Sequence, residues 1–95
     1  MSKPQYRLEM GIISDVLGVV MERGIQGSII SSIARSANLS HYVAVEKCQK
    51  LVGFGLLEYV SNDRNRTFIV TEKGIQFFHE MQKFIEMVQS VKIRY

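Results

Sequence analysis

Ile33-Ala34-Arg35-Ser36-Ala37-Asn38-Leu39-Ser40 is the stretch that decides how this chain folds. Two helices that cross closely need a small residue at their contact, and Ala34 supplies it. The turn between them needs a small residue and an apolar anchor, which Ala37 and Leu39 provide. Ser40 then starts the next helix, because its hydroxyl accepts a hydrogen bond from a free N–H of the first turn. The eight residues read as the turn of a helix-turn-helix.

Working outward, Leu8, Ile12, Ile13, Val16, Leu17 and Val20 recur at helical spacing and predict a first helix over residues 6–23. Gly24 suits its left-handed end, while Gly18 interrupts the pattern as a weak helix former. A short second helix is expected from Ser28, as its cap, through Ile29, Ile30, Ile33 and Ala34 to Ser36. The third runs from Ser40 to about Val52, where Gly53 and Gly55 break it.

Residues 56–61 and 66–70, rich in β-branched and aromatic side chains, predict two strands. Asn62, Asp63, Arg64 and Asn65 between them carry turn chemistry, which makes a hairpin. Thr71 caps a last helix that runs to Tyr95, about 37 Å long at 1.5 Å per residue. The expected fold is therefore mainly α, of the α+β class. A helix-turn-helix body with a two-stranded wing spans residues 1–72 and a long terminal helix spans 73–95, within a single domain.

Composition sets the limits. A chain of 95 residues holds one modest core, and its 46% hydrophobic and 22% charged residues are ordinary globular proportions. A net charge of +3 and an isoelectric point of about 9.2 permit binding to phosphate without requiring it. The single cysteine, Cys48, forms no internal disulfide, which fits a reducing compartment. Met1 to Leu8 lacks the apolar stretch of a secretory signal, and no run nears the roughly 18 apolar residues of a membrane span. A soluble cytoplasmic protein is expected.

Within the third helix, Ala44, Cys48 and Leu51 share one face, and Tyr42, Glu46 and Gln49 lie opposite, flanked by Val43 and Lys50. Such a face fits the roughly 12 Å major groove of double-stranded DNA, its N-terminal residues nearest the base edges. Ser40 and His41 stand at that leading end, where free N–H groups favour a phosphate oxygen. Glu46 repels phosphate unless it accepts from a cytosine amino group. On the DNA reading, Lys47 and Lys50 converge with Arg64 and Arg66 of the hairpin and with Arg35. The competing readings are a solvated helix face with two solvated arginines, or a module that binds protein through the same helix and wing.

Along the last helix Phe77, Met81, Phe84, Val88, Val91 and Tyr95 alternate at spacings of four and three, a heptad seam widened by Phe78 and Ile85. Ile75 and Phe78 are expected to close the domain's own core. The stripe beyond Met81 outruns the small body, so Phe77, Met81, Phe84, Ile85, Val88, Val91 and Tyr95 form the expected homodimer interface. The alternative is that this helix folds back on the first helix of its own chain. Spacing alone leaves the direction of helix pairing open.

From Ile33 through Gly74 the arrangement resembles the winged-helix DNA-binding superfamily. The Leu39-Ser40 pair, Gly55-Leu56-Leu57 leading into the wing, and Thr71-Glu72-Lys73-Gly74 opening the last helix carry the likeness. With the long terminal helix, nearly the whole chain is similar to the crenarchaeal ten-kilodalton winged-helix proteins. That resemblance implies an antiparallel coiled-coil dimer and a chromatin-type, nucleoid-associated role, with a compact transcription regulator as the other reading of a homodimeric DNA binder.

Other chemistries find little here. His41 and His79 are far apart with no cysteine pair beside them, so neither zinc nor any other cofactor is expected. Cys48 reads as a packed thiol and the five methionines as core filler. No glycine-rich phosphate loop follows a strand, no nucleophile has an attendant base, and no small-molecule ligand is evident. An enzyme is not expected.

Overall fold

Val16, Leu17 and Val20 have no exposed surface and define the inward face of α1 (Glu9–Arg23). The computed structural model describes residues 9–93, with side chains through residue 91. Leu8 of the first helix and Tyr95 of the seam lie outside the described residues. After α1 come a single 3-10 turn (Gly24–Gln26), α2 (Ile30–Ser36), α3 (His41–Gly53), β1 (Leu57–Ser61), β2 (Arg66–Val70) and α4 (Glu72–Ile93). The winged-helix order expected from the sequence is present, including the long terminal helix.

The helix-turn-helix closes as its residues dictate. Asn38, at φ 58°, takes the left-handed position after α2, where asparagine is tolerated. The N–H of Leu39 then donates to the Ala34 carbonyl at 2.8 Å and that of Asn38 to Arg35 at 3.2 Å. These two bonds satisfy carbonyls left free at the helix end. Gly55 (φ 80°) ends α3 with the same pair of bonds, Leu56 N–H to the Leu51 carbonyl and its own N–H to Val52, both at 2.9 Å. Ser40 caps α3 as expected, its Oγ accepting from the Val43 N–H at 3.2 Å. The inward face of α3 is Ala44, Cys48 and Leu51, all fully buried, the last two in one core with Ile33, Leu56 and Phe68.

Ser28 departs from expectation. It does not cap α2, whose N-cap is Ile29 without a side-chain bond. Instead its N–H donates to the Phe68 carbonyl at 2.9 Å and its carbonyl accepts from the Phe68 N–H at 2.8 Å. Ser28 is thus a one-residue third strand beside the β1–β2 hairpin, whose register pairs Leu57 with Val70 and Ser61 with Arg66. A serine before an apolar helix reads as a cap locally; the competing partner is 40 positions away and invisible to local pattern.

The start of α4 is bound to the end of α3. Thr71 Oγ1 accepts from the Gly74 N–H at 3.0 Å and donates to the Gly55 carbonyl at 2.7 Å. The Thr71 N–H donates to Leu56 at 3.1 Å, and Lys73 Nζ donates to the Phe54 carbonyl at 3.0 Å. A side chain at Gly74 would collide with the Leu56 carbonyl, which explains the glycine in this position. Farther along, the Phe78 ring rests over Gly18 of α1, and Ser14 Oγ donates to Gln82 Oε1 at 3.0 Å. Gly18, a weak point in the helical pattern, is therefore where α4 crosses α1.

Met81 is 7% exposed within the single chain, so it belongs to this intramolecular packing and not to an outward seam. Ile75, expected in the core, is 36% exposed, whereas Phe78 does pack against the core.

Gly27 combines φ 82° with a site where a Cβ would lie 2.7 Å from Thr67 Cβ. Gly27→Ala is expected to destabilise the fold by about 2–4 kcal/mol, from left-handed strain and from overpacking against a stiff β-branched neighbour. Urea denaturation of the two proteins measures it, with a lower midpoint at unchanged slope.

Candidate nucleic-acid interface

One solvent-open face of α3 runs beside the wing. Tyr42 is 77% exposed, and His41, Glu46 and Gln49 are exposed with it, while Val43 is half-buried. Ser40 and His41 stand at the leading end, and Arg35 is exposed near the end of α2. The wing tip is held by Asn62, whose Oδ1 accepts from the N–H groups of Arg64 (3.0 Å) and Asn65 (2.9 Å). Backbone order at the tip fixes where Arg64 and Arg66 leave the chain. Neither guanidinium has an ion-pair partner among the described residues, and both are exposed.

Lys47 and Lys50, expected to converge with these arginines, are both paired with Glu9 of α1. Lys47 Nζ lies 2.8 Å from Glu9 Oε1, and Lys50 Nζ lies 3.1 Å from Glu9 Oε2. One carboxylate at the start of α1 thus holds two ammonium groups of α3. Lys47 is largely covered, its side chain 11% exposed, whereas the Lys50 side chain keeps 45%. The hydrogen bond from Lys47, then that from Lys50, holds the Glu9 carboxyl below its ordinary value of 4.5. The same bond raises the Lys47 ammonium above its usual 10.5, against the opposing effect of burial. Nothing local marks Glu9 for this role, since its partners are 38 and 41 positions away.

Cys48 lies at the bottom of α3 with no exposed surface, and burial pushes its thiol up to about 12, the environment of an inert packed group. Among the described residues no three histidine, cysteine, aspartate or glutamate side chains gather as around a metal ion, and no helix is long and apolar enough to cross a membrane.

The winged helix-turn-helix family model matches residues 6–89, nearly the whole chain. The protein belongs to the winged helix-turn-helix family. Among solved structures it is similar to Sso10a-2, a DNA-binding protein from Sulfolobus solfataricus, at 22% identity and a TM-score of 0.79, covering 93% of this chain and 88% of that one. It is also similar to the PcaV transcriptional regulator of Streptomyces coelicolor (16% identity, TM-score 0.76), covering 95% of this chain and 63% of PcaV. MepR, a transcription regulator of a Staphylococcus aureus multidrug efflux pump, matches at 17% identity and a TM-score of 0.70, covering 88% of this chain and 64% of that one. No curated protein sequence matches. These likenesses establish the fold of this winged helix-turn-helix.

The Glu9 clamp sets a pH signature. A carboxyl whose folded pKa is depressed contributes stability that is present above its unfolded value and lost as pH falls through the folded one. Wild type is therefore expected to lose stability relative to Glu9→Gln as pH drops from about 4.5 downward. Denaturation midpoints of the pair between pH 7 and 2.5 measure the difference; a constant gap would show the clamp to be energetically idle.

Proposed function

We propose that the protein is a homodimeric binder of double-stranded DNA, working in the cytoplasm in association with the nucleoid, and not an enzyme. The observation that carries the reading is the open face of α3, capped at its leading end by Ser40 and flanked by the wing, whose exposed Arg64 and Arg66 have no ion-pair partner among the described residues. On this reading Ser40, His41, Tyr42, Val43, Glu46, Gln49 and Lys50 face the major groove, and the wing arginines and Arg35 meet phosphate or the minor groove. Kinship with a protein described as DNA-binding and with two transcription regulators supports it. Tyr42, Glu46 and Gln49 include no arginine for bidentate reading of guanine, which favours an architectural role over a site-specific one. Enrichment of one motif from a random duplex pool would reverse that preference.

DNA affinity is expected to fall steeply with salt. A dimer making roughly four to eight phosphate contacts gives a log–log slope of about −4 to −7. Fluorescence anisotropy of a labelled duplex across salt concentrations measures it; a flat response, or no binding at low salt, transfers the reading to a protein-binding module.

The dimer rests on the free stripe of α4. Phe77, Phe84 and Val88 are 41–48% exposed on the single chain, Met87 60% and Val91 61%, with Ile85 half-buried at the edge. An antiparallel coiled coil with a second copy covers them. A phenylalanine in mid-seam inserts between four partner side chains, and truncating it costs about 3–5 kcal/mol at each of two symmetric sites. Phe84→Ala is thus expected to weaken the dimer by orders of magnitude while α1–α3 stay folded. Sedimentation at tens of micromolar decides it: monomeric wild type, or a variant that dimerises equally well, excludes this seam.

A further inference from the structure

A groove of about 490 Å³ opens between α3 and the wing. Its floor is apolar: Ile30 from the start of α2, Val45 and Val52 from the flank of α3, and Phe68 from β2, the last only 8% exposed. Phe68 stacks obliquely on the ring of its register partner Tyr59, centroids 5.0 Å apart at 46°, and the pair forms an aromatic wall. Gln49 and Arg66 complete the lining. Small-molecule sites have this character: a volume of about 300–1,000 Å³, mostly apolar walls and a few polar groups that fix orientation.

The charge at this groove has one sign. Arg66 lines it, and its guanidinium has neither an ion pair nor a hydrogen bond among the described residues. No acidic side chain lines the groove, while the two lysines of α3 are turned to Glu9. A guanidinium fork binds a carboxylate through two parallel hydrogen bonds, and the Gln49 amide supplies a further donor. An aromatic wall beside an apolar floor accepts a flat ring by offset or edge contact. A bare inorganic anion would leave the apolar walls wet, and a cationic ligand would meet Arg66 unopposed.

We propose that this groove binds a small planar aromatic carboxylate, carboxylate on Arg66 and ring against Tyr59, Phe68, Val45 and Val52, and that such a ligand competes with DNA. The competition rests on the reading above, in which Gln49 and Arg66 face the duplex: a carboxylate on Arg66 removes a charge available to phosphate and covers Gln49. The sequence points to no such ligand, because the lining comes from four elements that meet only in the folded chain.

The test begins without DNA. Wild-type protein labelled with 15N is titrated with 2-naphthoate, with neutral 2-naphthamide and with inorganic phosphate. Saturable amide shifts are expected at Ile30, Val45, Val52 and Phe68 with 2-naphthoate, at least tenfold tighter than with either control. Arg66→Gln is expected to weaken binding at least tenfold, and Val45→Phe, which fills the floor and keeps Arg66, to abolish it; spectra of both variants report whether they fold. Equal binding of the amide or of phosphate, shifts scattered over the surface, or unchanged binding in Val45→Phe overturns the site. In a second stage 2-naphthoate is added to wild type on a labelled duplex at constant ionic strength. Release at the ligand concentration that saturates the NMR shifts supports competition, and saturation without release overturns it. A protein that binds 2-naphthoate but no duplex refutes the DNA reading and the competition while leaving the site standing.

Discussion

Three consecutive carbonyls, those of Phe54, Gly55 and Leu56, leave the end of α3 and are all taken up by the start of α4, through Lys73 Nζ, Thr71 Oγ1 and the Thr71 N–H. Gly74 lets the helix backbone close directly onto the third. The Phe54–Leu56 corner therefore does three tasks at once. It ends α3 in a left-handed glycine, starts the wing at Leu57, and sets the direction in which α4 departs. Three hydrogen bonds across so short a corner leave it little freedom to pivot. The exposed face of α3 and the free stripe of α4 are thus held in a fixed relation, although 30 or more residues separate Tyr42 from Phe77. If two copies pair through α4, that corner, and no flexible linker, sets the distance between their α3 helices.

How much of this is legible beforehand depends on the range of the interaction. Ser40, Asn38, Gly55 and Thr71 act on backbone groups near them in sequence, and the elements they delimit are where local chemistry puts them. Ser28 carries the same local signal as Ser40, yet pairing with Phe68 overrides it. The Glu9 clamp and the position of Met81 fail to show for a related reason. Each depends on how α1 is laid across another helix, α3 for the clamp and α4 for Met81, where Gly18 under the Phe78 ring and the Ser14–Gln82 bond mark the crossing. A heptad count gives the width of an apolar stripe on α4; it does not say which part of that stripe its own chain consumes.

The clamp also alters the electrostatics of the open face. Of five cations expected to converge there, one is largely covered and another shares the same carboxylate. Arg35, Arg64 and Arg66 remain, with Glu46 of opposite sign on the same surface. Exposed ion pairs are worth little individually, so the clamp acts less as a source of stability than as a means of orienting two side chains. Among the described residues, that face is left with few unpaired positive groups.

That shortage and the geometry of α4 point to the same arrangement. At about 100° per residue, the residues facing α1 (Phe78, Met81, Gln82 and Ile85) lie roughly 100° round the helix from the exposed Phe77, Phe84, Val88 and Val91. One apolar line is used within the chain, and the other carries the exposed Phe84, Val88 and Val91 along the last turns of α4. An exposed apolar line of this kind is the feature on which the proposed dimer rests. Joining two copies there covers the line and doubles the arginines presented to one duplex. Linked half-sites bind far more tightly than either alone, so on the proposed reading pairing through α4 offsets the sparse charge of one face.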